Sequence, residues 1–308
     1  MAQRIVTLTL NPAVDMASTA PAVRPTHKIR TFDEHVDPGG GGVNVARVIH
    51  ALGGETLALV LVGGVTGHFL EELLADAGVP CLHLPIAGRT RVSTTVHDQA
   101  TGLEYRFVPQ GPVVTQPEWR TMLAALEQAE ASWVVASGSL PQGVPDDFYA
   151  QAARIAARRG QSFVLDCSGA PLAAALGQGI ALLKPSLSEL EQLLGGVLTD
   201  PRAQEDAAMT LVRRGDANMV ALTLGAEGAL LATAAGLHRM AALPVPVRST
   251  VGAGDAFLAA LTLALVRGKT QQDALAWGIA AGSAAVARVG TARFTRAEVE
   301  ALVPAAAR

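Results

Sequence analysis

An acid stands at the mouth of a segment built for burial. In "RSTVGAGDAFLAALTLALVRG" (248–268), Asp255 follows Gly252, Ala253 and Gly254 and precedes a nearly uninterrupted apolar run. Val251 ends an extended segment, the two glycines turn the chain, and Asp255 opens a helix. That helix is apolar on every side, so it belongs inside a core. Arg267 and Gly268 suit its C-terminal end. Its N-terminus then lies at the rim of a dry interior, with unpaired N–H groups and partial positive charge. Such an end holds anions, and the glycines let a phosphate approach the backbone. Asp255 has two readings. It is a helix N-cap, or a general base that takes a proton from a hydroxyl as that oxygen attacks phosphorus.

Other constellations allow both a chemical and a plain reading. In "DPGGGGVNVAR" (37–47), four glycines at a helix start let a ligand lie against the backbone, and Asn44 can both donate to and accept from a hydroxyl. A tight turn explains single glycines equally well, but not four in a row. In "LLKPSLSELEQLLG" (182–195), Lys184 ends an apolar strand, and Ser186 and Ser188 precede a helix carrying Glu189. A capping arrangement with a solvated acid is the plain reading there. "TLGAEGALL" (223–231) is a glycine-bearing bend that a simple hairpin explains. Arg91 and Arg106 are a basic pair at strand ends, beside Lys28 and Arg30 of another segment. Surface arginines are usually just solvated, yet guanidinium groups also match a phosphate monoester.

Two nucleotide motifs fail on spacing. Gly268-Lys269-Thr270 has the end of a Walker A loop, but Leu263 stands where the motif needs its first glycine. The glycine run at 39–42 follows "DEHVDP" rather than a clean buried strand, and no acid sits on a strand end about 20 residues on, as a dinucleotide fold requires.

The positioning elements alternate. Strands are expected at 4–10, 56–64, 81–86, 132–138, 162–169, 180–185 and 217–225, then two short ones in "GALLAT" and "GLHRMAAL". Helices are expected over 38–54, 67–78, 145–160, after 186, over 201–215, and in two closing segments, 254–267 and 270–288. The pattern calls for an α/β fold with a mostly parallel sheet covered on both faces. Residues 12–36 and 91–108 break the pattern. The second reads as a hairpin turning at "QATG", and together they form a small β appendage on one continuous domain, 1–308.

Composition excludes several classes. The 308 residues are 50% hydrophobic and 17% charged, with a net charge of −3. Disorder and general nucleic-acid binding do not fit these values. The N-terminal apolar run is too short for a signal peptide. No stretch supplies the ~20 apolar residues that span a bilayer, so a cytoplasmic, non-membrane protein is expected. Cys81 and Cys167 are far apart and form no metal or disulfide pattern; buried thiols are expected.

Taken together, these motifs resemble the PfkB carbohydrate kinase family, of ribokinase-like fold, through nearly the whole chain. "PGGGGVNVARVIHALGG" and "STVGAGDAFLAALTLAL" are similar to its two signatures. "TLTLNPAVD", "YRFV", "SGSLPQGVP", "LDCSGAPL" and "KPSLSEL" resemble the branch acting on phosphorylated sugars. The resemblance implies Asp255 as catalytic base, with Gly252, Ala253 and Gly254 as the anion hole. Asp15, Gly40, Gly41 and Asn44 would hold sugar hydroxyls. Arg91, Arg106 and Ser139, with Lys28 and Arg30, would bind the sugar phosphate. Lys184, Ser186, Thr223, Gly225, Gly228 and Gly254 would line the ATP site, with Glu189 acting on Mg2+ through water. Ser249, Val251, Ala285 and Gly290 would give oxygens to a monovalent cation such as K+. The β appendage becomes a lid and a homodimer contact. Two departures stand out: Ser186 replaces the family's usual Asn, and "YRFVPQG" replaces "YRFVxPG".

The resulting expectation is ATP-dependent phosphorylation of a hexose phosphate, fructose 6-phosphate first, with fructose 1-phosphate or tagatose 6-phosphate as rivals. A non-catalytic sugar-phosphate sensor would have no need of Asp255. A nucleoside kinase would have no need of a basic lid.

Overall fold

The computed structural model describes residues 4–288 and 294–306. In chain order it builds β1 (Ile5–Thr9), β2 (Ala13–Ala20), β3 (Phe32–Gly39), α1 (Gly41–Ala51), β4 (Thr56–Val62), α2 (Gly64–Asp76), β5 (Cys81–Pro85), β6 (Arg91–Asp98) and β7 (Glu104–Phe107). Then follow α3 (Gln116–Gln128), β8 (Trp133–Ser137), α4 (Phe148–Arg158), β9 (Ser162–Asp166), α5 (Gly169–Ala175), β10 (Ile180–Leu183), α6 (Leu187–Leu194), α7 (Pro201–Arg213) and β11 (Met219–Thr223). The chain ends through β12 (Ala229–Thr233), β13 (Gly236–Met240), α8 (Ala253–Val266), α9 (Gln271–Val286) and α10 (Arg296–Ala306).

A nine-stranded sheet runs in the order β13-β12-β11-β10-β9-β8-β1-β4-β5. Its pairings are parallel except at one edge, where β12 runs against its two neighbours, β11 and β13. The central strands are buried on both faces, and their side chains sort by period two. Val134 and Ala136 pack on one face with Trp119, Phe148 and Leu211. Val135 packs on the other with Val48, Leu258 and Leu275. The second face is the seat of α8. Its residues Ala256 to Ala264 are all buried, as an all-round apolar helix must be.

The four-stranded sheet, β3-β2-β6-β7, is the β appendage expected from 12–36 and 91–108. β3 carries it three residues further, to Gly39, so the glycine run does follow a strand. β2 pairs in parallel with β6, Ala13 beside Arg91 and Asp15 beside Ser93. Alternation then puts Asp15, Arg91, Ser93, Thr95 and Arg106 on one face of the small sheet.

Three helices lie outside the sequence expectation. α3 follows a proline-rich approach, but Thr115 and Glu118 form a capping box that starts it cleanly. α5 is a short helix of seven residues. α10 follows the two helices expected to close the chain. Both cysteines are free; Cys167 is buried, as expected, whereas Cys81 is only half-buried. None of the described helices is long and apolar enough to cross a membrane.

Candidate active site

In the large sheet the strand order reverses beside β1, which sits between β4 and β8 although those follow it in sequence. Open α/β sheets bind ligands outside the carboxyl ends of strands at such a switch point. Here β8 ends at Ser137, β9 at Asp166 and β10 just before Lys184. Facing these ends is the N-terminus of α8.

Gly252 is the N-cap of α8, in the left-handed region at φ 75°, which a glycine adopts without strain. Asp255 is therefore the third residue inside the helix. Its carboxylate does not cap: Oδ2 accepts from Asn44 Nδ2 at 2.9 Å, and Oδ1 accepts from Ser137 Oγ at 3.5 Å. The plain N-cap reading of Asp255 is thus not what the chain does. Ser137 Oγ also lies 3.3 Å from Asp166 Oδ2, and Asp166 Oδ1 pairs with Lys184 Nζ at 3.0 Å. Lys184 is 5% exposed.

This chain of contacts sets the electrostatics. Burial, reinforced by the nearby Asp166 charge, lifts the Asp255 carboxyl from 3.8 to about 7. The Asn44 bond and the Lys184 charge pull the other way without cancelling it. Asp166 is raised by burial, with Lys184 opposing. Burial works against charged Lys184, but Asp166 and Glu189 outweigh it and hold the ammonium above its usual range. A carboxyl poised near neutrality is suited to taking a proton.

Between the small sheet and α8 lies a depression lined by Asp15, Gly40, Gly41, Asn44, Arg91, Arg106, Ser249, Val251, Gly252 and Asp255. Asp15 is raised by burial and pulled down by Arg91 and Arg106. The glycine run has a packing reason. A Cβ on Gly39 would stand 2.1 Å from Asp15 Oδ2, and one on Gly41 would stand 2.3 Å from Ser137 Oγ. Side chains there would push the polar groups of the site apart.

Other expected residues fall into three groups. Lys184 belongs to the same crevice, 3.8 Å from the position of a Cβ on Gly254. Beside it, Ser186 and Glu189 form the plain capping box: Ser186 Oγ accepts from Glu189 N, and Glu189 Oε2 accepts from Ser186 N at 2.7 Å. Thr223 is bridged to Ser186, and Gly225 and Gly228 shape the turn of a β11–β12 hairpin, as the plain reading had it. Ser249 and Ala285 are brought together, because Arg248 N and Ser249 N both donate to Val286 O. Gly290 lies outside the described residues. Lys28 and Arg30 stand apart, exposed between β2 and β3 and not lining the depression. Ser139 lines a neighbouring hollow with Cys167 and Ser168.

Sequence reasoning missed Ser137, Asp166 and Glu104, which also lines the depression. Asp166 had a readable signal: an acid closing the apolar strand "SFVLD", at the strand end where ligands bind. Ser137 had none, since a serine after "WVVA" is unremarkable until α1 packs against it.

The family model for the pfkB family carbohydrate kinases matches residues 8–297. The chain is 46% identical over 299 residues to the ATP-dependent 6-phosphofructokinase isozyme 2 of Mycobacterium tuberculosis, covering 96% of this chain and 88% of that one. It is 39% identical to the Escherichia coli protein of the same name, covering 94% of each. It is 35% identical to the 1-phosphofructokinase of Rhodobacter capsulatus, covering 91% of each. E. coli phosphofructokinase-2 in complex with fructose 6-phosphate superposes with a TM-score of 0.93 at 37% identity, over 100% of both chains. The same protein in complex with potassium gives a TM-score of 0.94, also at 37% identity and over 100% of both chains. The chain belongs to the pfkB family of carbohydrate kinases.

Proposed function

We propose that this chain transfers the γ-phosphoryl group of ATP to the 1-hydroxyl of fructose 6-phosphate. The observation that carries the reading is Asp255, poised near neutral pH at the N-terminus of α8 and facing a depression whose far wall holds Arg91 and Arg106. Asp255 takes the proton of the attacking hydroxyl as its oxygen bonds to phosphorus and the bond to the ADP oxygen breaks. The N–H groups of Gly252 and Gly254 face the charge on the transferring group, and that of Ala253, which donates to Thr250 O at 3.4 Å here, completes the anion hole. Asp15, Gly40, Gly41 and Asn44 orient the sugar; Arg91, Arg106 and Ser139 hold its phosphate. Lys28 and Arg30 join them only if the β2–β3 connection folds inward or a second copy presents them. Lys184, Ser186, Thr223, Gly225 and Gly228 line the nucleotide side.

Glu189 would hold an ATP-bound Mg2+ through water, and that ion would supply charge to offset the phosphates. No cluster of three or more metal-ligating side chains stands among the described residues, but Glu189 Oε1 has no hydrogen bond there and could hold a metal-bound water. Ser249, Val251 and Ala285 would supply oxygens to K+, as the family resemblance implies. The small sheet serves as lid and dimer contact. Met16, Thr94 and Phe107 sit side by side across its strands, with Met16 and Phe107 exposed, an apolar patch for a second copy to cover. The setting is cytoplasmic.

The test is turnover with ATP on fructose 6-phosphate, fructose 1-phosphate, tagatose 6-phosphate, fructose and adenosine. Fructose 6-phosphate should give the highest kcat/KM. Preference for fructose 1-phosphate would move the reading to the activity named for the R. capsulatus relative, and no turnover at all would leave a sensor.

A further inference from the structure

The small sheet is tied to the large one by chain crossings at 10–12, 39–41, 86–91 and 108–112, and these converge on one dipeptide, Asn11-Pro12. Arg91 Nη2 donates to Asn11 O at 2.8 Å, and its Nη1 donates to Pro109 O at 2.9 Å. A Cβ on Gly40 would lie 3.0 Å from Pro12 Cα, and one on Gly111 would lie 2.2 Å from Asn11 Oδ1. The Asn11 side chain is buried, 4% exposed. Its Nδ2 donates to Gln110 O at 2.9 Å and to Ser139 Oγ at 3.3 Å. The Gln110 carbonyl fixes the orientation of the amide, because only the NH2 end can meet it.

One side chain thus touches both the crossing that leaves β7 and the loop that leaves β8. A second link runs parallel to it: Gln142 Nε2 donates to Gln110 Oε1, and Val114 N donates to Gln142 O at 2.8 Å. Gln110 is where this sequence departs from "YRFVxPG", so the amide-to-amide link belongs to the altered turn.

We propose that Asn11 is a positioning residue that registers the small sheet against Ser139, so that the arginine wall and the serine hydroxyl grip one phosphate monoester from two sides. By donating to Ser139 Oγ, the Asn11 amide fills an acceptor site and leaves the hydroxyl hydrogen to point at a phosphate oxygen. By holding Gln110 O, it fixes the exit of β7, the strand that carries Arg106. Asn11 reaches no substrate atom in this role; it acts through Ser139 and through the placement of the small sheet.

The inference rests on the proposed sugar-phosphate kinase reading, and the test separates the two. Wild type, Asn11→Ala, Ser139→Ala and the double variant are compared with ATP and the sugar phosphate that wild type prefers in the substrate panel. If wild type used no sugar phosphate, the functional reading would fall, and the inference with it. If wild type is active, Asn11→Ala should raise the sugar-phosphate KM about tenfold, with the ATP KM and kcat changed less than about threefold. In the Ser139→Ala background the same substitution should add less than about threefold, since coupled residues are not additive. Amide hydrogen exchange over 108–115 should quicken in Asn11→Ala whatever the substrate. Should Asn11→Ala fail to fold, Gln142→Ala at an exposed position loosens the parallel link and should raise the same KM about twofold. An Asn11 effect that persists in full without Ser139, or that falls on both substrates alike, overturns the proposal. So does unchanged exchange and KM in the variants that fold.

Discussion

Two walls of the same depression hold their charges in opposite ways. On the large-sheet wall, Asp255, Ser137, Asp166 and Lys184 are partnered with one another, side chain to side chain. On the small-sheet wall, Arg91 is partnered with backbone carbonyls, and Arg106 is exposed with no hydrogen bond or ion pair among the described residues. Coupled buried charges move each other's proton affinity. The small-sheet arginines couple to Asp15, but a guanidinium keeps its charge throughout, and the backbone carbonyls hold Arg91 in place. In the proposed mechanism the first wall serves proton transfer and the second grips the anion.

The largest effect should come from the first wall. Asp255→Asn keeps the size of the side chain and removes the proposed base, so kcat should fall by about a thousandfold. Circular dichroism should be unchanged. Near-normal kcat would mean that the two walls do not divide the work in this way. In the wild type, kcat/KM should rise through an acid limb near pH 7, as Asp255 loses its proton.

The same substitution has a consequence for stability. Burial and the Asp166 charge push the Asp255 carboxyl from the free value of 3.8 up to about 7 in the folded chain. Between those values the native state binds the extra proton, so this group's contribution makes stability fall as pH rises. Above pH 7 the native state carries the full cost of the buried charge, about 4 kcal/mol by the size of that displacement. Asp255→Asn removes this cost. The variant should be more stable than wild type by a few kcal/mol at pH 8, and the gap should close toward pH 4. Urea denaturation across that range reads it directly; a gap that did not depend on pH would show that burial does not govern this carboxyl.

The second wall should give a smaller, differently shaped effect. Arg106→Ala removes a proposed charged donor to the sugar phosphate, so the KM for that substrate should rise about thirtyfold with kcat within a few-fold. Unphosphorylated fructose, tested as a poor substrate, should be indifferent to the change. Equal losses on both sugars would break the comparison.

The two walls also differed in how plainly the sequence showed them. The apolar run after Asp255 is legible, because only a buried helix tolerates it. That Asp255 would turn to Asn44 and Ser137 was not legible, since it depends on Gly252 taking the left-handed cap and on α1 packing across the end of β8. Asp166 is one acid at the end of one strand, and only the sheet order brings it to Lys184. The small sheet was visible as two segments that break the strand–helix alternation. Its register was not, because β2 and β6 pair in parallel across about 70 residues of intervening chain. The glycine run pointed to a ligand, but much of its reason is protein: Asp15 and Ser137 stand where side chains would be.

The finest distinction lies within the second wall, between its two arginines. Both resemble phosphate ligands in sequence, and both line the depression. Arg91 has already given two of its donors to Asn11 O and Pro109 O, and burial holds its guanidinium below the usual range. Removing it leaves two carbonyls of the crossing segments without that donor, a loss of about 1–2 kcal/mol. Arg106 has no such bonds to lose and is exposed, so Arg106→Ala should change stability by less than about 0.5 kcal/mol. Thermal unfolding of the two single variants, without substrate, should therefore separate them, with Arg91→Ala the lower. If both unfolded at the wild-type temperature, the carbonyl contacts of Arg91 would contribute nothing net, and the two arginines would be equivalent anion ligands.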